Sequence, residues 1–217
     1  MEKLAVAFIN HKGGVGKTTL AYIMTQIGLA EGINVTAVDL DPQQNLSDAL
    51  DLVKDNGKWF NNNLQITNEI QESPRGDFIV VDCPPALNSA TAAAIDYADI
   101  TLIPVMADLF SVSNLRLVYK FAAEHEKDKE QTALVKVGFD KRSLVGMIDS
   151  VLGEMQYAIA GDVPINRLIP YNIAVGNLWE SKINNKTRWP YYTLYKNLWG
   201  AYKQMLNGNF KEAWEGI

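Results

Sequence analysis

The sequence predicts an α/β fold, a mostly parallel, twisted β-sheet with helices on both faces, and three observations predict it. Short apolar runs of strand length recur along the chain, as at 4–9 (LAVAFI), 78–82 (FIVVD) and 100–106 (ITLIPVM). Between them lie segments whose apolar residues repeat at helical spacing. The first run leads directly into a glycine-rich loop, HKGGVGKTT at 11–19, and then into a helical pattern. Strand, glycine loop and helix in that order are the start of a P-loop NTPase fold.

Each element follows in turn. Residues 4–9 read as a central strand, and Leu20, Ile23, Met24 and Ile27 form one face of a helix that Gly32 closes. Residues 33–39 (INVTAVD) are a second strand, completing a βαβ unit with the right-handed crossover such units take. Residues 48–76, with the turn-rich centre DNGKWFNNN, are expected to be connecting structure with one or two short helices. A strand at 78–82, a small-residue helix at 90–97 and a strand at 100–106 come next. A helix is expected over 114–127, with Leu115, Val118, Phe121 and Ala122 on one side, and a strand over 132–139. Ser143 is expected to cap a helix aligning Leu144, Ile148, Val151 and Met155, and 163–170 to form a last strand. No linker, low-complexity tract or repeat interrupts the 217 residues, so a single domain is the economical reading.

Composition narrows the function. Apolar residues make up 47% and charged residues 21%, which is ordinary for a soluble globular protein, and no apolar run is long enough to cross a bilayer. The N-terminal apolar run is too short for a signal sequence, and a cytoplasmic location is expected. The single cysteine, Cys83, makes neither an internal disulfide nor a metal centre by itself. The net charge is −5, yet residues 181–211 carry six basic residues and no acid, leaving 14 basic against 25 acidic elsewhere. A positive segment is carried on a negative body.

The loop carries the first candidate site. Backbone N–H groups of a phosphate loop converge at a helix start, and Gly13, Gly14 and Gly16 permit the close approach this requires. Val15 lies between them, Lys17 is placed for the β- and γ-phosphates, the Thr18 hydroxyl for Mg²⁺, and Thr19 for an α-phosphate oxygen. Carboxylates for the metal's outer shell belong at the carboxyl ends of strands, where Asp39 and Asp82 stand. Either aspartate could instead cap a following turn. Asp41, just past the second strand, could reach a water beyond the γ-phosphate, and Lys12 is a second lysine that a plain phosphate loop does not need.

Four stretches, KGGVGKTT (12–19), DLDPQQN (39–45), VVDCPP (80–85) and ADITLIPV (98–105), together resemble the ParA/MinD family of deviant-Walker-A ATPases. The match looks closest to the ParA partition branch, and a weaker similarity continues to RLIPYNIAVG (167–176). The resemblance implies ATP and Mg²⁺ as cofactors and a homodimer sandwiching two nucleotides. It implies that Lys12 crosses to the partner's phosphates and that Asp41 orients the attacking water. Asp39 and Asp82 would then be the metal's outer shell, and Pro170 would begin the adenine-side loop. It further implies hydrolysis that is weak alone and stimulated by a centromere-binding adaptor of ParB type, with the ATP form on nucleoid DNA. The chain is short for the branch, and the DNA-reading N-terminal domain of larger members is expected to be absent. VGFDKRS (137–143) lacks the asparagine the family often has there, which leaves adenine recognition open.

Nonspecific DNA contact has an independent basis in the basic segment, where Lys182, Lys186, Arg188, Lys196 and Lys203 are the candidate phosphate contacts. The aromatics interleaved with them fit a helix packing stripe through Tyr195, Leu198, Trp199, Tyr202, Met205 and Leu206. Rival readings are a ParA-like ATPase that positions a protein cargo and a MinD-like ATPase at a membrane, although the ending NFKEAWEGI has no clear lipid face. A tyrosine autokinase and an iron-protein reductase fit less well. The tyrosines fit packing, and one cysteine per subunit supplies too few thiolates for a cluster.

Overall fold

The central strand of the sheet is β1 (Leu4–Phe8), whose alternate side chains supply two separate cores. Leu4, Val6 and Phe8 face one core, and Ala5 and Ala7 face the other. The computed structural model describes residues 2–56, 63–106, 108, 113–127, 131–138, 158–163, 185–209 and 212–215, with the backbone alone for 53–56 and 185–188.

On one side of β1 lies β4 (Phe78–Asp82) and on the other β5 (Ile100–Met106), both parallel to it. β2 (Val35–Asp39) pairs outside β4, and β3 (Leu64–Thr67) forms that edge. Beyond β5 come β6 (Thr132–Val137) and β7 (Ile159–Val163), so among the described residues seven parallel strands form a sheet in the order β3-β2-β4-β1-β5-β6-β7. β1, β2 and β4 are buried throughout, as continuous apolar runs in a parallel sheet require.

Five helices cover the sheet among the described residues: α1 (Lys17–Ala30), α2 (Asn45–Asn56), α3 (Ser89–Tyr97), α4 (Leu115–His125) and α5 (Asn185–Leu206). α1, α2 and α5 pack on the Leu4, Val6 and Phe8 face through Leu20, Ile23, Leu46, Leu50 and Tyr195. α3 and α4 pack on the other through Ile95, Leu115, Val118 and Ala122. Gly32, at φ +77°, ends α1 as a left-handed residue, and its N–H donates to the Leu29 carbonyl at 3.0 Å. From β1 the chain crosses outward to β2, whereas from β4 it crosses back over β1 to β5. The reversal puts a crevice at the carboxyl ends of these strands.

Three expectations need correction. The stretch 48–76 holds more than connecting structure, because α2 begins at Asn45 and Leu64–Thr67 pairs with β2 as an edge strand. LQIT is half polar and only half-buried, so no apolar run marks it. A strand also forms at Ile159–Val163, ahead of the one expected over 163–170, and Gly161 and Asp162 hide its pattern. Gly161 sits against Leu194, whose Cδ1 would lie 3.3 Å from an added Cβ. Leu206 leaves the α5 stripe at 52% exposure, while Tyr191 and Leu194 join Tyr195, Leu198, Tyr202 and Met205 in the core. The helix expected after Ser143, Phe139 and residues 164–170 lie outside the described residues.

Candidate functional site

The phosphate loop begins where β1 stops. Ile9 N–H still donates to the Leu102 carbonyl of β5, at 3.0 Å, and the chain then leaves the sheet. Gly14 and Gly16 take φ of +76° and +100°, which side chains with a Cβ strongly disfavour. Gly16 is the N-cap of α1 and provides no side chain to bond the first turn. The opening N–H groups of α1 therefore face outward without a side-chain acceptor, the arrangement an anion needs.

A cavity of about 570 Å³ opens in front of this helix start. Gly13, Gly14, Gly16, Lys17, Thr18 and Thr19 of the loop line it together with Asp41, Gln43, Asn45 and Pro85. Val15 is buried beneath the loop. Lys17 is 6% exposed, and its ammonium donates to the Lys12 carbonyl at 3.3 Å. Burial pushes its pKa below the ordinary lysine value, opposed by the nearby Asp82, Cys83 and Asp41.

The two strand-end aspartates differ in how their oxygens are used. They are register partners across β2 and β4, and both are buried. Asp39 accepts from Asp41 N–H at 3.2 Å through Oδ1 and from Ser47 N–H at 2.9 Å through Oδ2. Ser47 lies in the first turn of α2, so Asp39 performs the capping task that was the alternative reading of this residue. Neither oxygen of Asp82 has a hydrogen-bond partner of good geometry, although the Thr18 hydroxyl is near enough to lower the carboxyl's pKa. Burial outweighs that help and, with Asp39 and Asp41 adding repulsion, raises Asp82 to about 7.

A buried carboxylate with two unsatisfied oxygens beside a threonine hydroxyl is a fit for a hard cation. Among the described residues, no cluster of three or more His, Cys, Asp or Glu side chains could hold a metal alone. A cation here would have to share its shell with substrate oxygens, as Mg²⁺ does at nucleotide sites.

The remaining predicted residues fall into two groups. Asp41 accepts from Gln43 N–H at 3.0 Å, which folds the turn toward the cavity. Lys12 does not line the cavity, and its ammonium is 2.9 Å from Asp108. Lys196 is exposed on α5, paired with Glu31 at 3.4 Å and above the Tyr192 ring, and Lys203 is exposed on the same helix. Pro170 and Lys182 lie outside the described residues, and Lys186 and Arg188 are described only as backbone.

Sequence reasoning missed Asn10, Gln43, Asn45 and Asp108. Gln43 and Asn45 stood inside the quoted stretch DLDPQQN and were open to notice as polar neighbours of Asp41. Asn10 is 4% exposed and bridges the loop to β5, and Asp108 stands two residues past that strand with no sequence pattern of its own.

A glycine loop at a helix start, a buried lysine and a strand-end carboxylate in one parallel sheet define a P-loop NTPase. A family model described as an AAA domain matches residues 3–74 and 60–135, more than half of the chain. The chain belongs to the ParA/MinD-type P-loop ATPases. It is 26% identical to the chromosome-partitioning ATPase Soj of Treponema pallidum, over 77% of this chain and 83% of that protein. It is 36% identical to the maintenance of carboxysome distribution protein A of Halothiobacillus neapolitanus, over 48% of this chain and 50% of that one. In structure it resembles a plasmid partition protein of Borrelia burgdorferi bound to AMPPNP. The TM-score is 0.68 at 18% identity, over 90% of this chain and 98% of that one, which speaks to the fold.

Proposed function

We propose that this chain is a single-domain ATPase that dimerises on ATP, binds DNA without sequence preference in that state, and is released when a ParB-type adaptor speeds hydrolysis. The observation that carries the ATPase reading is that uncapped α1 N–H groups and buried Lys17 front one cavity, with the unsatisfied carboxylate of Asp82 buried close to Lys17 and Thr18. Lys17 and the loop N–H groups bind the β- and γ-phosphates, and Thr18, with Asp82 behind it and Asp39 beside it, would hold Mg²⁺. When bound, that ion neutralises charge developing on the phosphate oxygens. Asp41 lines the same cavity and orients water toward the γ-phosphate. Lys12 reaches the partner's phosphates, and turnover alone is slow because positioning is incomplete until assembly.

Exposed Lys196 and Lys203 on α5 support the DNA reading, along with the acid-free charge of 181–211. Tyr191, Tyr195 and Tyr202 of α5 are committed to the core while Trp189 is exposed, so the reading rests chiefly on phosphate contact. Nucleoid association follows from this reading. No described helix is long and apolar enough to cross a membrane.

The deciding experiment compares Lys17→Ala with Asp41→Ala. Lys17→Ala is expected to lose ATP binding, whereas Asp41→Ala is expected to bind ATP, hydrolyse none and stay dimeric. Equal loss of ATP binding in both would overturn the assignment.

The second reading is an ATPase of the same mechanism that positions a protein assembly. The 36% identity over 110 residues to a carboxysome-distribution protein favours it. Identifying what an Asp41→Ala variant retains in an ATP-dependent way separates a centromere-bound adaptor from a protein cargo.

A further inference from the structure

Lys12 is tethered to β5 at both its main chain and its side chain. Its N–H donates to Oδ1 of Asn10 at 3.0 Å, and buried Asn10 donates through Nδ2 to the Pro104 carbonyl at 3.0 Å. Its ammonium lies 2.9 Å from Oδ1 of Asp108, two residues past the end of β5. Asp108 is itself fixed, because its N–H donates to the Met106 carbonyl at 2.8 Å. Both side chains of the pair are about a third exposed, at 33% and 35%, so the contact is accessible to an approaching subunit.

An ammonium that donates to a carboxylate within its own subunit must leave it to meet phosphates elsewhere. Where only the released form is competent to assemble, apparent affinity falls by the fraction released. We propose that Asp108 is a positioning residue that retains Lys12 in the unassembled subunit and thereby sets the protein concentration at which the ATP-bound dimer forms. This rests on the reading of Lys12 as the lysine that reaches the partner's phosphates. Asn10 fixes the main chain from which Lys12 swings, so release moves the side chain and leaves the phosphate loop in place.

A partly exposed ion pair holds its lysine by a factor of roughly three to five, and a dimer releases two, so the combined effect is about ten- to twenty-five-fold. The test is sedimentation velocity of the full chain with Mg²⁺ and a non-hydrolysable ATP analogue, with analogue affinity measured separately below the assembly concentration. Asp108→Asn is expected to dimerise at about ten-fold lower concentration with unchanged analogue affinity, and Asp108→Glu to behave like the parent. Asp108→Ser provides a second neutral side chain, and a Lys12→Ala, Asp108→Asn double variant is expected to gain nothing over Lys12→Ala. Unchanged or weaker assembly of both neutral variants would overturn the proposal, the weaker case meaning that Asp108 serves the assembled dimer. Should Lys12→Ala alone assemble and hydrolyse like the parent, the reading of Lys12 fails and takes the proposal with it.

Discussion

At the residue scale, Asp82 carries a cost in the free protein that only a ligand offsets. Its carboxyl is raised from 3.8 to about 7, chiefly by burial, so the folded chain binds a proton more tightly than the unfolded chain does. Stability of the metal-free protein should therefore decline as pH rises from about 4 toward 7, and the full penalty should persist above that. Asp82→Asn is predicted to stabilise the nucleotide-free protein at pH 8 by roughly 2 kcal/mol, a gain that shrinks at pH 5. Denaturant unfolding in EDTA at the two pH values measures it. The same variant is predicted to lose Mg²⁺-dependent nucleotide binding, the trade expected where a site stores instability for a ligand.

At the element scale, the Asp39 carboxylate ties the end of β2 to the first turn of α2. Asp39→Ala removes the side-chain acceptors of two backbone N–H groups and is predicted to cost about 1–2 kcal/mol, with Asp39→Asn recovering part of it because its one carbonyl oxygen still accepts. Comparing the two variants by thermal melts, with and without Mg²⁺ and ATP, separates capping from any metal role. The β2–β4 junction is less forgiving. A Cβ at Gly76 would lie 2.5 Å from Thr36 N, a backbone atom that cannot swing aside, and Gly76 N–H donates to Thr36 Oγ1 at 2.9 Å. Gly76→Ala is predicted to destabilise by more than about 2 kcal/mol in denaturant titration.

The same scale explains what could be read in advance. β1, β4 and β5 announce themselves because a strand buried on both faces has no room for polar residues. β3 and β7 do not, since edge and near-edge strands tolerate the glutamine, glycine and aspartate that erase the pattern. The phosphate loop and its strand-end aspartates were legible because their chemistry is local to short motifs. Asn10 reaches Pro104 of β5 across 94 residues of chain and Asp108 reaches Lys12 across 96, and no local spacing records either contact.

At the scale of the whole molecule, a negative body carries a positive helix, and in the proposed function a second copy completes the crevice. DNA affinity in the ATP state is predicted to fall steeply with salt, and to fall further when Lys196 and Lys203 are neutralised together. Fluorescent-DNA titration at two ionic strengths checks both, and unchanged affinity would remove DNA from the account. Assembly is the more central claim, and the most direct measurement is the sedimentation of Asp41→Ala with and without ATP and Mg²⁺. The account predicts a monomer without nucleotide, a dimer with it, and a return to monomer when Lys12→Ala is added. A mass that stays constant while ATP is demonstrably bound would contradict it.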